Sequence, residues 1–350
     1  MRINNTHKEI TKKEVIDSLY KIMCTNTTSA VDNKVSNNDY FKRRVLGFKA
    51  EIEFEKELKG TKFNFMKGGI LLSPRLDGSH DMKNKFSYIT IDIHNPENYL
   101  SIYSKIATWD EIKTLSYAKL DLKNWDLEDY EIKENKGSNL SLTKILVPRY
   151  KLYKYDYAKK IFSEFKKNDF SHILNIGSPR LKKSSKYHLR KKEHFAYFEK
   201  YDLDTLKKIY ADRYFLDKKK NENKIFNTID LDGFIVNEGK ALIIEIKEKE
   251  PIKPKSKKKS IDTKFWSYGW DTRRLLWYLE IQRKIGFQIL YIVRHIENRE
   301  ERNFIKWDFI YLNDFLKGVS WSNSRSGGGG GDTLTAPYNH FSELKELINK

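Results

Sequence analysis

Cysteine is almost absent. Cys24 is the only one in 350 residues, so no disulfide can form within the chain and no zinc site can be built on cysteines. A reducing setting fits that composition. Long apolar runs are also missing: no stretch approaches the ~18 apolar residues of a membrane span. The first residues, Met1 to His7, lack the apolar core of a signal peptide. A soluble, cytoplasmic protein with no membrane partner is the expectation. Proline is scarce, with seven in all. Two of them, Pro251 and Pro254, interrupt a single lysine-rich stretch and exclude a regular element there. Acidic residues are the minority among the charges, 48 against 67 Lys and Arg, leaving a net +19. That excess favours a polyanionic partner, nucleic acid before an anionic membrane surface. A lysine-rich proteome would also raise Lys and Asn together, so charge alone decides little.

Aromatic residues are plentiful. The 20 Phe, 21 Tyr and 7 Trp supply enough apolar surface for a packed core and exclude global disorder. The length suits one large domain or two ordinary ones.

The chemistry concentrates in Ile229-Asp-Leu-Asp-Gly-Phe-Ile-Val236, Asn237-Glu-Gly-Lys240 and Ala241-Leu-Ile-Ile-Glu-Ile-Lys247. This reads as two strands joined by a tight turn. Side chains alternate along a strand, so Glu245 and Lys247 share one face while Leu242, Ile244 and Ile246 take the other. A two-residue loop, Glu238-Gly239, pairs Asn237 with Lys240, and a four-residue loop gives the same register. Asp232 then faces Glu245, and Asp230 faces Lys247. A three-residue loop would break that pattern. Two neighbouring carboxylates repel each other unless a proton or cation lies between them. Their hard oxygens suit Mg²⁺, and a lysine beside them can orient a water and offset phosphate charge. Solvated charges on a surface hairpin are the plainer reading, but the apolar run before Glu245 argues against it.

Elsewhere, residues 8–24 read as an amphipathic helix with Thr11 and Glu14 as a capping box. Tyr40–Leu58 reads as a stronger helix. Glu53, Glu55 and Glu57 fit a solvated face there. Glu51 lies one turn from Gly47, where a missing side chain lets another element approach. Residues 61–72 form a strand broken at Gly68-Gly69, and Ser87–Ile93 another strand. Asp77 lies in a turn with no Glu-x-Lys after it. Trp109–Leu120 reads as a helix capped by Thr108, and 121–142 as acidic and aperiodic. Basic and aromatic residues interleave through Leu146–Lys167, above all in Pro148–Tyr157, as in a core strand with solvated lysines, although such a pattern can also stack on bases. A dense basic cluster follows, Arg180, Lys182, Lys183, Lys186, Arg190, Lys191 and Lys192. Asp202–Leu216 reads as a helix. Lys257, Lys258 and Lys259 lie in the Pro-interrupted loop after Lys247. Trp270–Lys284 is a helix capped by Asp271 or Thr272 and ended by Gly286. Phe287–Val293 is a buried strand, and Phe304–Leu312 one more. Residues 322–337, with Gly327–Gly331, read as an extended loop that does not match a phosphate-binding pattern. Residues 341–349 read as a terminal helix.

Gly47-x-x-x-Glu51-x-x-Phe54, Asp232 and Glu245-Ile-Lys247, with the helix and strand that follow, resemble the PD-(D/E)XK nuclease superfamily, and within it type II restriction endonucleases. The resemblance implies an α/β (α+β) fold: a restriction-endonuclease-like core of a mixed central sheet flanked by helices, carrying a large insertion. It implies 40–73 and 226–350 as the two parts of the core. Residues 1–39 become an N-terminal helix and loop, and 74–225 an insertion that recognises DNA. Carried over by position, Asp232 and Glu245 are the Mg²⁺ ligands, Lys247 the catalytic lysine and Glu51 an acid from the first helix. No proline precedes the aspartate, and Asp230 is the alternative ligand, with Asp232 favoured because it faces Glu245 and precedes Gly233, where a small residue lets a phosphate backbone approach. If Glu51 drops out, Glu193 or Glu199 is the candidate helix acid. The implied reaction is Mg²⁺-dependent hydrolysis of double-stranded DNA, by a homodimer where both strands are cut. A repair, junction-resolving or mobile-element nuclease on the same core is the nearest alternative. A non-catalytic nucleic-acid-binding protein comes next, and a membrane-surface protein last, for want of a basic amphipathic helix. The basic residues of 179–192 and 253–259 are expected to touch phosphates. Neutralising them should flatten the salt dependence of DNA binding by roughly 0.9 in log–log slope for each phosphate no longer neutralised, measured by titration across ionic strengths.

Overall fold

The computed structural model describes residues 9–24, 37–73, 86–133, 140–165, 170, 198–219, 227–254, 256, 261–298, 301–319, 325–326 and 332–349. The helices among them are α1 Lys12–Cys24, α2 Asn37–Glu57, α3 Leu100–Ile106, α4 Leu203–Arg213, α5 Thr272–Ile285, α6 Leu312–Gly318 and α7 Leu344–Ile348. The strands are β1 Asn64–Lys67, β2 Ile70–Ser73, β3 Phe86–Asp92, β4 Ile112–Lys133, β5 Leu140–Asp156, β6 Ile161–Glu164, β7 Asn227–Asp230 and β8 Gly233–Asn237. They continue with β9 Lys240–Lys249, β10 Ser267–Asp271, β11 Gln288–Ile296, β12 Phe304–Tyr311, β13 Arg325–Ser326, β14 Asp332–Pro337 and β15 Ser342–Glu343. This is a mixed α/β architecture, with sheets flanked by helices. Among the described residues no helix is long and apolar enough to cross a membrane.

The chain divides into two compact units, Met1–Val45 with Ile70–Thr228 and Leu46–Gly69 with Ile229–Lys350. The N-terminal helix thus groups with the central region rather than standing apart. In the first unit Thr11 and Glu14 form the reciprocal cap at the start of α1: Thr11 N donates to Glu14 Oε2 at 2.9 Å, and Glu14 N to Thr11 Oγ1 at 3.3 Å. The long β4–β5 hairpin dominates this unit. Ile112–Lys133, expected as the end of a helix and the start of an aperiodic stretch, is instead one strand, β4. Ile112 to Lys119 pair in parallel with β3, and Leu115, Ser116, Tyr117 and Ala118 are all fully buried. A strand covered on both faces loses the alternation by which strands are recognised. Residues 146–157 do form a core strand: Tyr150, Leu152 and Tyr155 are buried while Lys151 and Lys154 are exposed.

The second unit is built on a six-stranded sheet in the order β1-β8-β9-β11-β12-β15. β8 runs antiparallel to both β1 and β9, and β11 lies parallel to β9. The parallel step needs a crossover, and α5 lies within it in the chain. Asp271 caps α5, its Oδ1 accepting from Arg273 N at 3.0 Å and Arg274 N at 3.2 Å, and Gly286 ends it at φ 66°. The β8–β9 corner is the two-residue turn Glu238-Gly239, with φ of 48° and 77°. Positive φ at both positions marks the type I′ turn that suits strand twist. Residues 332–337, expected as part of an extended loop, are a strand paired with β10, which leads directly into α5.

Alternation along β9 gives the sheet two different faces. Ile244 and Ile246 pack with Ala50, Phe54 and Leu58 of the α2 segment, and with Leu344 of α7. The other face carries Glu245. Gly47 is exposed and a Cβ there would meet nothing within 4 Å, so no element approaches closely through it. Glu53 is not simply solvated. It accepts from Arg294 Nε at 2.5 Å, while Arg294 and Arg302 both bind Glu248 at 2.9 and 2.5 Å. Arg294 and Glu248 are 4% and 2% exposed. Removing one member of a buried ion pair strands the other. Arg294→Ala is therefore expected to cost about 3 kcal/mol of stability, and Glu53→Ala about 1 kcal/mol or less because Glu53 is one-third exposed (34%), both read from urea unfolding.

Candidate active site

The register derived from the sequence is the one observed, from Asn237↔Lys240 to Gly233↔Ile244. Extended by one step it sets Asp232 across from Glu245. The expected continuous strand 229–236, however, is broken. β7 ends at Asp230 and belongs to the other six-stranded sheet, so Asp230 does not pair with Lys247. The break falls where two segments cross. Leu231 N donates to Gly69 O at 2.9 Å, and Gly68 N to Asp232 O at 3.4 Å. A Cβ on Gly68 would lie 1.8 Å from Leu231 O, so this crossing requires glycine. Gly233 has a packing role too: a Cβ there would sit 2.6 Å from a ring carbon of Phe65. The ring of Phe65 fills the space that the sequence reading reserved for a phosphate backbone.

Released from the ladder, Asp232 turns its carboxylate toward β9. Its Oδ2 accepts from Ile246 N at 2.7 Å. Lys247 Nζ lies 3.6 Å from the same oxygen and 2.6 Å from Glu245 Oε1. Arg274, in the first turn of α5, places NH1 3.0 Å from Glu245 Oε1 and NH2 3.9 Å from Asp232 Oδ1. NH2 also donates to Asp230 O at 2.5 Å. One turn on, Tyr278 OH donates to Glu245 Oε2 at 2.6 Å. Glu245 is wholly buried and Asp232 is 6% exposed, while Lys247 is 32% exposed. Lys247 and Arg274, the latter 30% exposed, therefore form the solvent-facing side of the cluster.

Arg274 and Tyr278 are the members that sequence reasoning missed. A signal for Arg274 was present. The N-terminal turn of a helix favours acids and disfavours cations, so an arginine there needs a carboxylate partner. Asp232, Glu245 and Lys247 meet as expected. Asp230 contributes a backbone carbonyl, and its charge also acts on Asp232 and Arg274. Glu51 is half-buried on α2, the helix on the opposite face of the sheet from Glu245. Glu199 is exposed in the first unit, where its carbonyl accepts from Lys12. Glu193, Asp77, Gly327–Gly331, Arg180, Lys182, Lys183, Lys186, Arg190, Lys191, Lys192, Lys257, Lys258 and Lys259 lie outside the described residues.

The electrostatics follow from burial. Desolvation, then repulsion from Glu245, pushes the Asp232 carboxyl up to about 7 against the attraction of Lys247 and Arg274. Burial would raise Glu245 as well, but Arg274 and Lys247 outweigh it and hold that carboxyl below its ordinary value. Burial would lower Lys247, and the two carboxylates overcome it and raise the ammonium. Glu245 Oε1 takes no well-aligned hydrogen bond although two cations lie close to it. Two buried carboxylates that share Lys247 and Arg274, one with an oxygen lacking a directed donor, form a donor set that fits a divalent ion such as Mg²⁺. Among the described residues no group of three His, Cys, Asp or Glu side chains is spaced to hold a metal, so the set is a two-carboxylate one.

No family model matches the sequence, and no curated protein matches it. Among solved structures, Hjc of Archaeoglobus fulgidus, a Holliday junction resolvase from an archaeal hyperthermophile, is similar over 34% of this chain and 74% of its own. The identity is 11% and the TM-score 0.22, a likeness too slight to carry an argument.

The raised Asp232 carboxyl has a consequence for stability. The folded chain binds that proton more tightly than the unfolded chain, so the contribution is present in acid and fades as pH rises from about 4 through about 7. Asp232→Asn removes this loss. In EDTA, the melting temperature of the variant is expected to gain on the wild type between about pH 5 and about pH 8.

Proposed function

We propose that this chain is a Mg²⁺-dependent endodeoxyribonuclease of double-stranded DNA, and within that class a sequence-specific type II restriction enzyme. The observation that carries the reading is the convergence of Asp232, Glu245 and Lys247 in one buried cluster with a solvent-facing lysine. In this reading Asp232 and Glu245 hold the metal, with Asp230 as the alternative ligand, while Glu51, on the helix that covers the opposite face of the sheet, has no part in it. When bound, the ion supplies Lewis-acid charge beside the phosphate and eases formation of the nucleophile.

The protein's own groups do the rest. The bond from Ile246 N fixes the Asp232 carboxylate, and the Tyr278 hydroxyl fixes Glu245. Lys247, kept protonated between two carboxylates, donates to the attacking water or to a phosphate oxygen and offsets negative charge as the 3′-oxygen leaves. The net charge of +19 favours a polyanion. The restriction reading rests on the size of the first unit, proposed as the region that reads sequence. Phosphate contacts are proposed for Arg180, Lys182, Lys183, Lys186, Arg190, Lys191, Lys192 and Lys257–Lys259. A cytoplasmic homodimer is proposed for cutting both strands.

The test is to incubate the purified chain with methylated and unmethylated plasmid and phage DNA, and with a four-way junction, in Mg²⁺ or EDTA. Discrete fragments from linear DNA, formed only with Mg²⁺, are expected. Asp232→Asn and Lys247→Ala should each lose on the order of 10³-fold in rate. Smeared products would replace restriction by nonspecific cleavage, and cutting of the junction alone would point to junction resolution. Undiminished cutting by Asp232→Asn would overturn the site assignment. No cleavage with any divalent metal would leave a binding protein.

A further inference from the structure

Arg274 is the part of the cluster that the proposed chemistry does not use. Its guanidinium reaches both carboxylates, 3.0 Å from Glu245 Oε1 and 3.9 Å from Asp232 Oδ1. A carboxylate oxygen has two lone pairs. Glu245 Oε1 already faces two cations, with Lys247 Nζ 2.6 Å away on the other approach. Glu245 Oε2 is engaged by Tyr278, and Asp232 Oδ2 by Ile246 N. The two oxygens without a directed donor, Glu245 Oε1 and Asp232 Oδ1, are the ones turned toward Arg274. An ion bound there would lie close to the Arg274 charge, which is 30% exposed and so partly screened.

The arginine is also held for this position. The backbone N of Arg274 is tied to the Asp271 cap at 3.2 Å, and its NH2 to the Asp230 carbonyl at 2.5 Å. At the positive end of a helix its charge is unfavourable, so the carboxylates, together with that carbonyl, hold it in place.

We infer that Arg274 is a built-in competitor of the divalent metal: it pairs with Glu245 and lies beside Asp232, and it must give up Glu245 Oε1 for an ion to bind there. This rests on the metal-dependent reading of the site. It assigns Arg274 a role as a gate on metal loading rather than as a metal ligand or a catalytic residue. Such a contact limits metal uptake at low ion concentration and offsets part of the cost of burying two carboxylates.

Competition and simple support predict opposite signs. If Arg274 competes, removing its charge tightens metal binding. If it only positions the carboxylates, removing it loosens binding. The experiment titrates Mn²⁺ into the full-length wild type, Arg274→Gln and Arg274→Lys without DNA, following free Mn²⁺ by electron paramagnetic resonance. Circular dichroism melts check that each variant is folded. Gln keeps an amide donor for the Asp230 carbonyl, and Lys keeps the charge. The expected result is Mn²⁺ binding on the order of tenfold tighter in Arg274→Gln, the effect of removing one like charge from a partly screened site, with Arg274→Lys close to wild type. Equal or weaker binding in folded Arg274→Gln, with the wild type still binding, overturns the competition and leaves the metal reading intact. Tighter binding in both variants would assign the effect to bulk rather than charge and also overturns it. No binding by any of the three proteins removes the metal reading itself, and the inference with it.

Discussion

Burying two carboxylates together is the constraint on which the second unit depends. Asp232 and Glu245 share Lys247 and Arg274 as partners, and almost no solvent reaches them. Each buried carboxylate is costly on its own, and the pair is costlier still through repulsion. The surrounding elements can be understood as the means of offsetting that cost. The type I′ turn fixes the register that brings the two strands together. The Gly68 crossing frees Asp232 from the ladder so that its carboxylate can reach Ile246 N. The Asp271 cap starts α5 where Arg274 and Tyr278 both reach Glu245. The result is two carboxylates and two cations in close balance, with one proton held most readily on Asp232.

The opposite face of the same sheet carries no such tension. Ile244, Ile246, Leu290 and Ile292 pack there against the α2 segment and α7 as an ordinary apolar core. A single strand, β9, therefore serves both purposes by alternation, with stability on one side and chemistry on the other. At its far end the buried Arg294–Glu248 pair ties β11 to β9 and, through Glu53, to α2. That pairing lies on the same face of β9 as Ile244 and Ile246, away from Glu245.

Much of this was legible in the sequence, for identifiable reasons. Glu238-Gly239 between two apolar runs specifies a hairpin register locally, and the ladder follows it. Asp271 and Gly286 bracket α5 because capping is also local. What was not legible depended on distant chain. The break at Leu231–Asp232 comes from the Gly68-Gly69 segment crossing it, more than a hundred residues earlier in the sequence. Gly233 looked like an opening and is filled by Phe65. Gly47 looked like a packed crossing and faces open space. β4 was read as a helix because its burial on both faces erases the period-2 pattern. Arg274 and Tyr278 escaped notice because a helix that caps and packs well explains itself without reference to the hairpin beneath it.

The central claim is that Asp232 and Glu245 form one divalent-metal site. Its most direct test is Mn²⁺ binding to Glu245→Gln, a nearly isosteric change that removes a charge and leaves the fold otherwise equipped. The account predicts saturable binding by the wild type at a single site per chain, and loss of that binding in the variant with its melting transition retained. Binding of equal affinity in Glu245→Gln would contradict it.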